Sequence, residues 1–103
     1  MKHQGFVWTV GVPTGRSPTA GITTQTQLAL AAIDARLAQA GTDKTNILET
    51  TVFLTNIKDD FRDFDAVFSA WLPEGIGASR ATVGVAELAN HDKVEIKVTV
   101  AAY

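Results

Sequence analysis

The sequence predicts an α+β domain with the element order β-α-β-α-β-β: a mainly antiparallel sheet with two helices packed on one face. Three observations carry this. Two stretches space their apolar residues as helices do, four others are β-branched or alternate with period two, and the 103 residues hold no linker, internal repeat or low-complexity tract. Residues 1–103 therefore read as a single domain. Two helices cannot cover two sheet faces, and a small domain with an uncovered, partly apolar face commonly hides it against copies of itself.

The first strand is read from Gly5 to Pro13, where Phe6, Val7, Trp8, Thr9, Val10 and Val12 precede a proline. Thr14 to Gly21 is a loop. Thr24 with Gln27 forms a capping box for a helix over about 23–40, in which Ala29, Ile33, Leu37 and Ala40 recur at helical spacing until Gly41 stops it. Asn46 opens a second strand. Leu48, Thr50, Val52 and Leu54 lie on one side and Ile47, Glu49, Thr51 and Phe53 on the other, so both faces are partly apolar and the strand is expected to be central.

Asp59 or Asp60 is expected to cap a second helix. Its Phe61, Phe64, Phe68 and Trp71 form a stripe most simply read as core, and Pro73, Gly75 and Gly77 break it. Ser79–Leu88 and Lys93–Ala102 alternate cleanly and read as the two arms of a hairpin.

Nine Lys/Arg against eleven Asp/Glu give a net charge of -2, which argues against a surface for nucleic acid or anionic lipid. No apolar run approaches the roughly 18 residues of a membrane span. With no cysteine, thiolate nucleophiles, disulfides and thiolate metal sites are excluded. A cytoplasmic protein, neither membrane-spanning nor secreted, is expected.

Several chemistries can be set aside. His3 and His91 have no third ligand at metal spacing and read as solvent-exposed; no metal is expected. Asp59, Asp60, Asp63 and Asp65 lack the spacing of a calcium loop, and acids at a helix start account for most of them, Asp65 least well. No histidine has a place beside a nucleophilic serine, there is no Gly-x-Ser-x-Gly turn, and Gly11 to Gly15 do not precede a helix at phosphate-loop spacing.

Arg80 and Glu95 remain, charged residues on otherwise small or apolar strands. Taken alone they are a surface ion pair on a hairpin or part of a site. If the polar faces of the hairpin are paired, Glu95 lies opposite about position 86, roughly 20 Å along the strand from Arg80 at ~3.4 Å per residue. In that register a site using both is assembled across a subunit boundary.

The segment from Thr24 to Ala101 resembles the RidA (YjgF) family of small trimeric deaminases. The resemblance is carried by QTQLALAAIDARLAQAG, then NILETTVFLTNIKDDF with its aromatic helix, then SRATVGVAEL, then KVEIKVTVAA, in the order and spacing of the family's short-sequence branch. It implies a chorismate-mutase-like trimer with clefts between subunits. It also implies cofactor-free hydrolysis of reactive 2-imino and 2-enamino acids to 2-oxo acids and ammonia, with neither metal nor nucleotide. By the resemblance Arg80 grips the substrate carboxylate and Glu95 is the catalytic residue that activates or positions water. Thr82, Val10, Gly11 and Asp65 join Arg80 in binding substrate.

The chain departs from the family pattern at several places. Val10 stands where Ser or Thr is frequent, leaving backbone groups of Val10 and Gly11 to hold water. Asp65 stands where Asn is common, Ala78 where Pro is common, and the only tyrosine is Tyr103. The alternative is a non-catalytic module that binds small carboxylates such as 2-oxo acids in the same clefts. Ribonuclease activity, a label attached to this family, is disfavoured by the acidic balance and the absence of paired histidines.

Overall fold

A computed structural model describes residues 2–3, 5–76 and 79–102. The expectations placed on Gly77, Ala78, Tyr103 and the His3 side chain lie outside what it describes. Strands β1 (Lys2–His3), β2 (Phe6–Gly11), β3 (Ile47–Leu54), β4 (Ser79–Gly84) and β5 (Val94–Ala101) form one sheet in the order β1-β2-β5-β3-β4, with helices α1 (Ile22–Gln39) and α2 (Ile57–Trp71) on one face. Every pairing is antiparallel except that of β3 with β4.

The expected hairpin does not form. β4 pairs only with β3, in parallel, and β5 is inserted between β2 and β3. Burial explains the choice. Val94, Ile96, Val98 and Val100 are each at most 1% exposed and fill the middle of the core, whereas β4 is small, half-exposed and suited to an edge. The parallel β3-α2-β4 unit puts β4 outside β3, and the connection over residues 85–93 carries the chain back across. Glu95 therefore stands beside Phe53, not position 86.

β3 is central, as expected, but its phase shifts once. A register irregularity between Ile47 and Glu49 turns Ile47 into the core and leaves Leu48 47% exposed. Both helix caps also differ from expectation. α1 starts at Ile22 after Gly21, with no side-chain cap, so Thr24 and Gln27 lie within the helix and form no capping box. Gln25 ties that first turn down: its Nε2 donates to the Ala20 carbonyl (2.9 Å) and its Oε1 accepts from the Lys93 N–H (2.8 Å). Gly41, at φ +78°, follows α1 in the left-handed conformation that its stop requires.

α2 is capped by Asn56, whose side chain accepts from the Asp59 N–H and donates to the Asp59 carboxylate. Asp59 and Asp60 sit in the first turn, where the helix dipole favours acids.

The core joins Ala29, Ile33 and Leu37 of α1 and Phe64 and Phe68 of α2 to the inward faces of β2, β3 and β5. Gly11 belongs to this packing. A Cβ there would clash with the Ala29 carbonyl oxygen and fall 2.6 Å from Ile33 Cγ1, so glycine is needed for the close approach of β2 to α1. The other sheet face, built by Trp8, Val10, Glu49, Thr51, Phe53, Ala81, Val83, Glu95 and Lys97, carries no helix. Trp8, Val10 and Val83 are 38%, 36% and 40% exposed there.

Candidate functional site

The sheet ladder decides which of the expected residues can meet. Arg80 is level with Thr50, and Thr50 with the buried Val98, so Arg80 projects toward the helices. Thr82, level with the fully buried Val52, shares that face. Glu95, level with Phe53, projects from the open face, as does Val10, level with Lys97. Arg80 and Glu95 are also two strands apart, about 10 Å at ~4.8 Å per strand, and three residues apart along the ladder. The two cannot touch within one chain, and the surface ion pair between them is excluded. The reason is their opposite faces, not a displacement along a hairpin.

Arg80 has another partner. Its Nη1 lies 2.8 Å from Oδ1 of Asp65, in the third turn of α2. Three rings of the same helix underlie the guanidinium, with Phe61, Phe64 and Phe68 centroids 5.8, 5.6 and 5.0 Å from its central carbon. Spacings of three and four residues put those rings and Asp65 on adjoining helix faces, and the crossover lays β4 against them. The stripe is thus core at Phe64 and Phe68, while Phe61, 38% exposed, carries it out to solvent under the cation.

Asp65, unexplained as a helix-start acid, is the counter-ion of Arg80. The aromatic shelf was the component that motif reading missed. Its signal was present in an arginine on a strand of small residues directly after an amphipathic aromatic helix. Thr50, beside Arg80 in the ladder, adds a buried hydroxyl with no hydrogen-bond partner among the described residues.

Val10 and Gly11 do not join this group. They lie on β2, separated from β4 by β5 and β3, and Gly11 faces α1. The Val10 carbonyl accepts a hydrogen bond from Arg36 of α1, so it is already engaged. Glu95 and Val10 are diagonal neighbours on the open face, about 7 Å apart by strand geometry. The expected residues therefore fall into two half-sites, Arg80, Asp65 and Thr82 on one face and Glu95 with Val10 on the other.

A separate depression of about 570 Å³ beyond the end of β2 contains Arg16, Asn90, His91 and Asp92. Arg16 is consumed there in holding the loop, through an ion pair to Asp92 (3.0 Å) and a hydrogen bond to the Asn90 carbonyl (2.6 Å). His91 is exposed, as expected. Among the described residues no group of three or more His, Cys, Asp or Glu is placed to hold a metal ion, and no helix is long and apolar enough to cross a membrane.

The molecule is thus an α+β protein whose sheet carries helices on one face, with a guanidinium shelved on aromatic rings at its edge strand. The chain belongs to the family described as Endoribonuclease L-PSP, the YjgF/RidA/RutC group, whose family model matches residues 1–102. It is 35% identical over 99 residues to the RutC family protein YoaB of Escherichia coli K12, covering 96% of this chain and 84% of that protein. A RutC family protein of Haemophilus ducreyi is 38% identical over 101 residues, covering 96% and 83%. Among solved structures, a Rid family protein, YyfA, from Yersinia pestis superposes with a TM-score of 0.88 at 32% identity, covering 98% of this chain and 83% of that one. A YjgF family member from Neisseria meningitidis does so with 0.86 at 31%, covering 96% and 81%. Membership in this group supports a small-molecule-processing role.

Proposed function

We propose that the protein is a cofactor-free deaminase that hydrolyses 2-imino acids, the tautomers of 2-enamino acids, in clefts between the subunits of a homotrimer. The observation that carries this reading is the division of the site. Arg80 lies on the helix face and Glu95 on the open face of one sheet, so a cleft using both draws them from two copies. The exposed Val10, Leu48 and Val83 give that second copy an apolar surface to cover.

Arg80 takes the substrate carboxylate, its planar fork matching two oxygens. Glu95 of a neighbouring copy orients a water and accepts its proton as the oxygen bonds to the imine carbon and the C=N π pair moves onto nitrogen. The tetrahedral carbinolamine then collapses. Glu95 returns its proton to the nitrogen, and as the C–N bond breaks and ammonia leaves, the regenerated carboxylate takes the hydroxyl proton so that the carbonyl of the 2-oxo acid forms. An imine carbon needs no more electrophilic activation than its own protonated nitrogen. Thr82 lines the cleft beside Arg80.

The test is 2-oxo acid release from an imine generated in situ by an amino-acid oxidase, in competition with trapping by semicarbazide. Acceleration by wild type that falls by about 10²-fold or more in Arg80→Ala and Glu95→Ala is expected. No acceleration by the folded assembly would overturn the deaminase reading.

Two observations favour the second reading, a non-catalytic module for small carboxylates. Val10 offers no hydroxyl and its carbonyl is engaged by Arg36, which removes groups that would hold water but none that hold a carboxylate. A Lactococcus lactis relative, 39% identical over 77 residues and covering 75% of this chain and 60% of that one, carries a regulator's name, AldR. Calorimetric binding of a 2-oxo acid without turnover would decide for it.

A further inference from the structure

The Arg80 cation already has an anion beside it, and this limits what else binds there. We infer that Asp65 makes the site select carboxylates that carry a positively charged α-nitrogen over 2-oxo acids of the same length. The inference rests on Arg80 being the carboxylate anchor of the proposed function and names the feature that sorts its ligands.

The Asp65 side chain is 41% exposed and that of Arg80 24%, so the acid stands on the solvent side of the pair, where a ligand enters. One face of the guanidinium is closed by Phe61, Phe64 and Phe68. An incoming carboxylate is therefore received at the guanidinium's N–H edge, in the plane shared with Asp65. Two carboxylates then flank one cation, and the second is repelled by the first.

A plain 2-oxo acid has nothing to offset that repulsion. An α-iminium or α-ammonium group is one carbon from the ligand carboxylate, so a ligand seated on Arg80 brings its cation to the Asp65 oxygens. The ligand dipole is then antiparallel to that of the Arg80–Asp65 pair, and each of these four charges has an opposite one beside it. In the proposed reaction this discrimination runs from substrate to product. The protonated imine carries the cation, the 2-oxo acid has lost it, and the product is released against the same Asp65 that held the substrate.

The experiment is calorimetric titration of the assembled protein with 2-aminobutanoate and with 2-oxobutanoate, two unreactive ligands of equal length. Wild type is expected to bind the amino acid more tightly, by roughly tenfold, the size of one partly screened charge contact. Asp65→Asn keeps an oxygen beside Nη1 but removes the charge. It should lower the ratio several-fold, chiefly by tightening 2-oxobutanoate, and Asp65→Ser should do the same; the preference that remains belongs to Glu95 of the neighbouring copy.

An unchanged ratio in both variants, or a wild type that prefers the oxo acid, overturns the inference and leaves Asp65 a positioning residue for Arg80. So does a wild type that binds neither ligand. Arg80→Ala separates the two levels of the argument: if it leaves both affinities unaltered, the carboxylate anchor itself is wrong, whatever Asp65 does.

Discussion

The two faces of this sheet solve different problems. On the helix face, alternate residues of β2, β3 and β5 meet Ala29, Ile33, Leu37, Phe64 and Phe68 and are lost to solvent almost completely. On the open face, Val10, Val83 and Glu95 are interspersed with Lys97, Thr51 and Glu49, and Trp8, Val10 and Val83 stay more than one-third exposed. The first face is a core, and the charged Arg80 is admitted at its edge strand because aromatic rings and Asp65 receive it. The second has the mixed composition of a surface that pairs with another surface. Strength of packing lies on one side and half of the proposed chemistry on the other.

The helix face is the one that a single substitution disrupts most. Phe64, fully buried, both fills the core and floors the guanidinium. Phe64→Ala should cost about 3–5 kcal/mol in urea unfolding. Gly11→Ala follows, at about 1–3 kcal/mol, because the added methyl meets the Ala29 carbonyl, a backbone atom that cannot swing away. A Gly11→Ala protein as stable as wild type would show that β2 and α1 are not as closely locked as their geometry requires.

The open face should respond in the opposite manner. Val83→Asp places a carboxylate on the exposed side of β4, away from the core, and should leave the far-UV circular dichroism of the chain intact. If that face is the meeting surface of copies, the variant's mass by light scattering should fall to that of one chain, with loss of any activity needing Glu95 of a neighbour. An unaltered mass would remove the open face from the interface and with it the division of the site between copies.

How legible these faces were in the sequence follows from what alternation encodes. Period-two patterning in Lys93–Ala102 told which residues point inward, and the structure agrees for Val94, Ile96, Val98 and Val100. It carries no information on which strand lies alongside. Two adjacent alternating segments therefore looked like a hairpin, while the sheet placed β5, the more apolar, at its centre and β4 at its edge.

The Leu48 irregularity was invisible for a related reason, since Ile47 and Leu48 are equally apolar and only the partner strand settles which turns inward. Cap positions failed locally. Gly21 starts α1 without a side-chain cap because the buried Gln25, from one turn in, accepts from the Lys93 N–H just before β5 and donates to the loop preceding the helix. Of the candidate site, motif order points to Arg80, Asp65 and Glu95 and strand alternation to Thr82, but the pairing of Asp65 with Arg80 is tertiary and has no local trace.

Gln25 gives a sharper probe of the same interplay at smaller amplitude. Its amide joins the Ala20 carbonyl to the Lys93 N–H, so Gln25→Leu keeps the volume and strands both backbone groups. A loss of about 1–3 kcal/mol is expected in urea unfolding. Near-native stability would mean that water replaces the amide and that the entry to β5 is held elsewhere.

The smallest effect lies farthest from both faces. Asp43 accepts from the hydroxyl and then the backbone N–H of Thr45, which hold its carboxyl below its ordinary pKa and shape the short turn before β3. Because the folded pKa is the lower one, the contribution is complete above the unfolded value and is lost as pH falls through the folded pKa. Asp43→Asn should therefore narrow its stability gap from wild type as pH falls through the acid range, and the two acid limbs should converge. The gap should persist when Val83→Asp is added, because this turn serves the chain and not the assembly. A gap that instead vanished with the assembly would tie the Asp43 turn to the open face and redraw the boundary between the two regions.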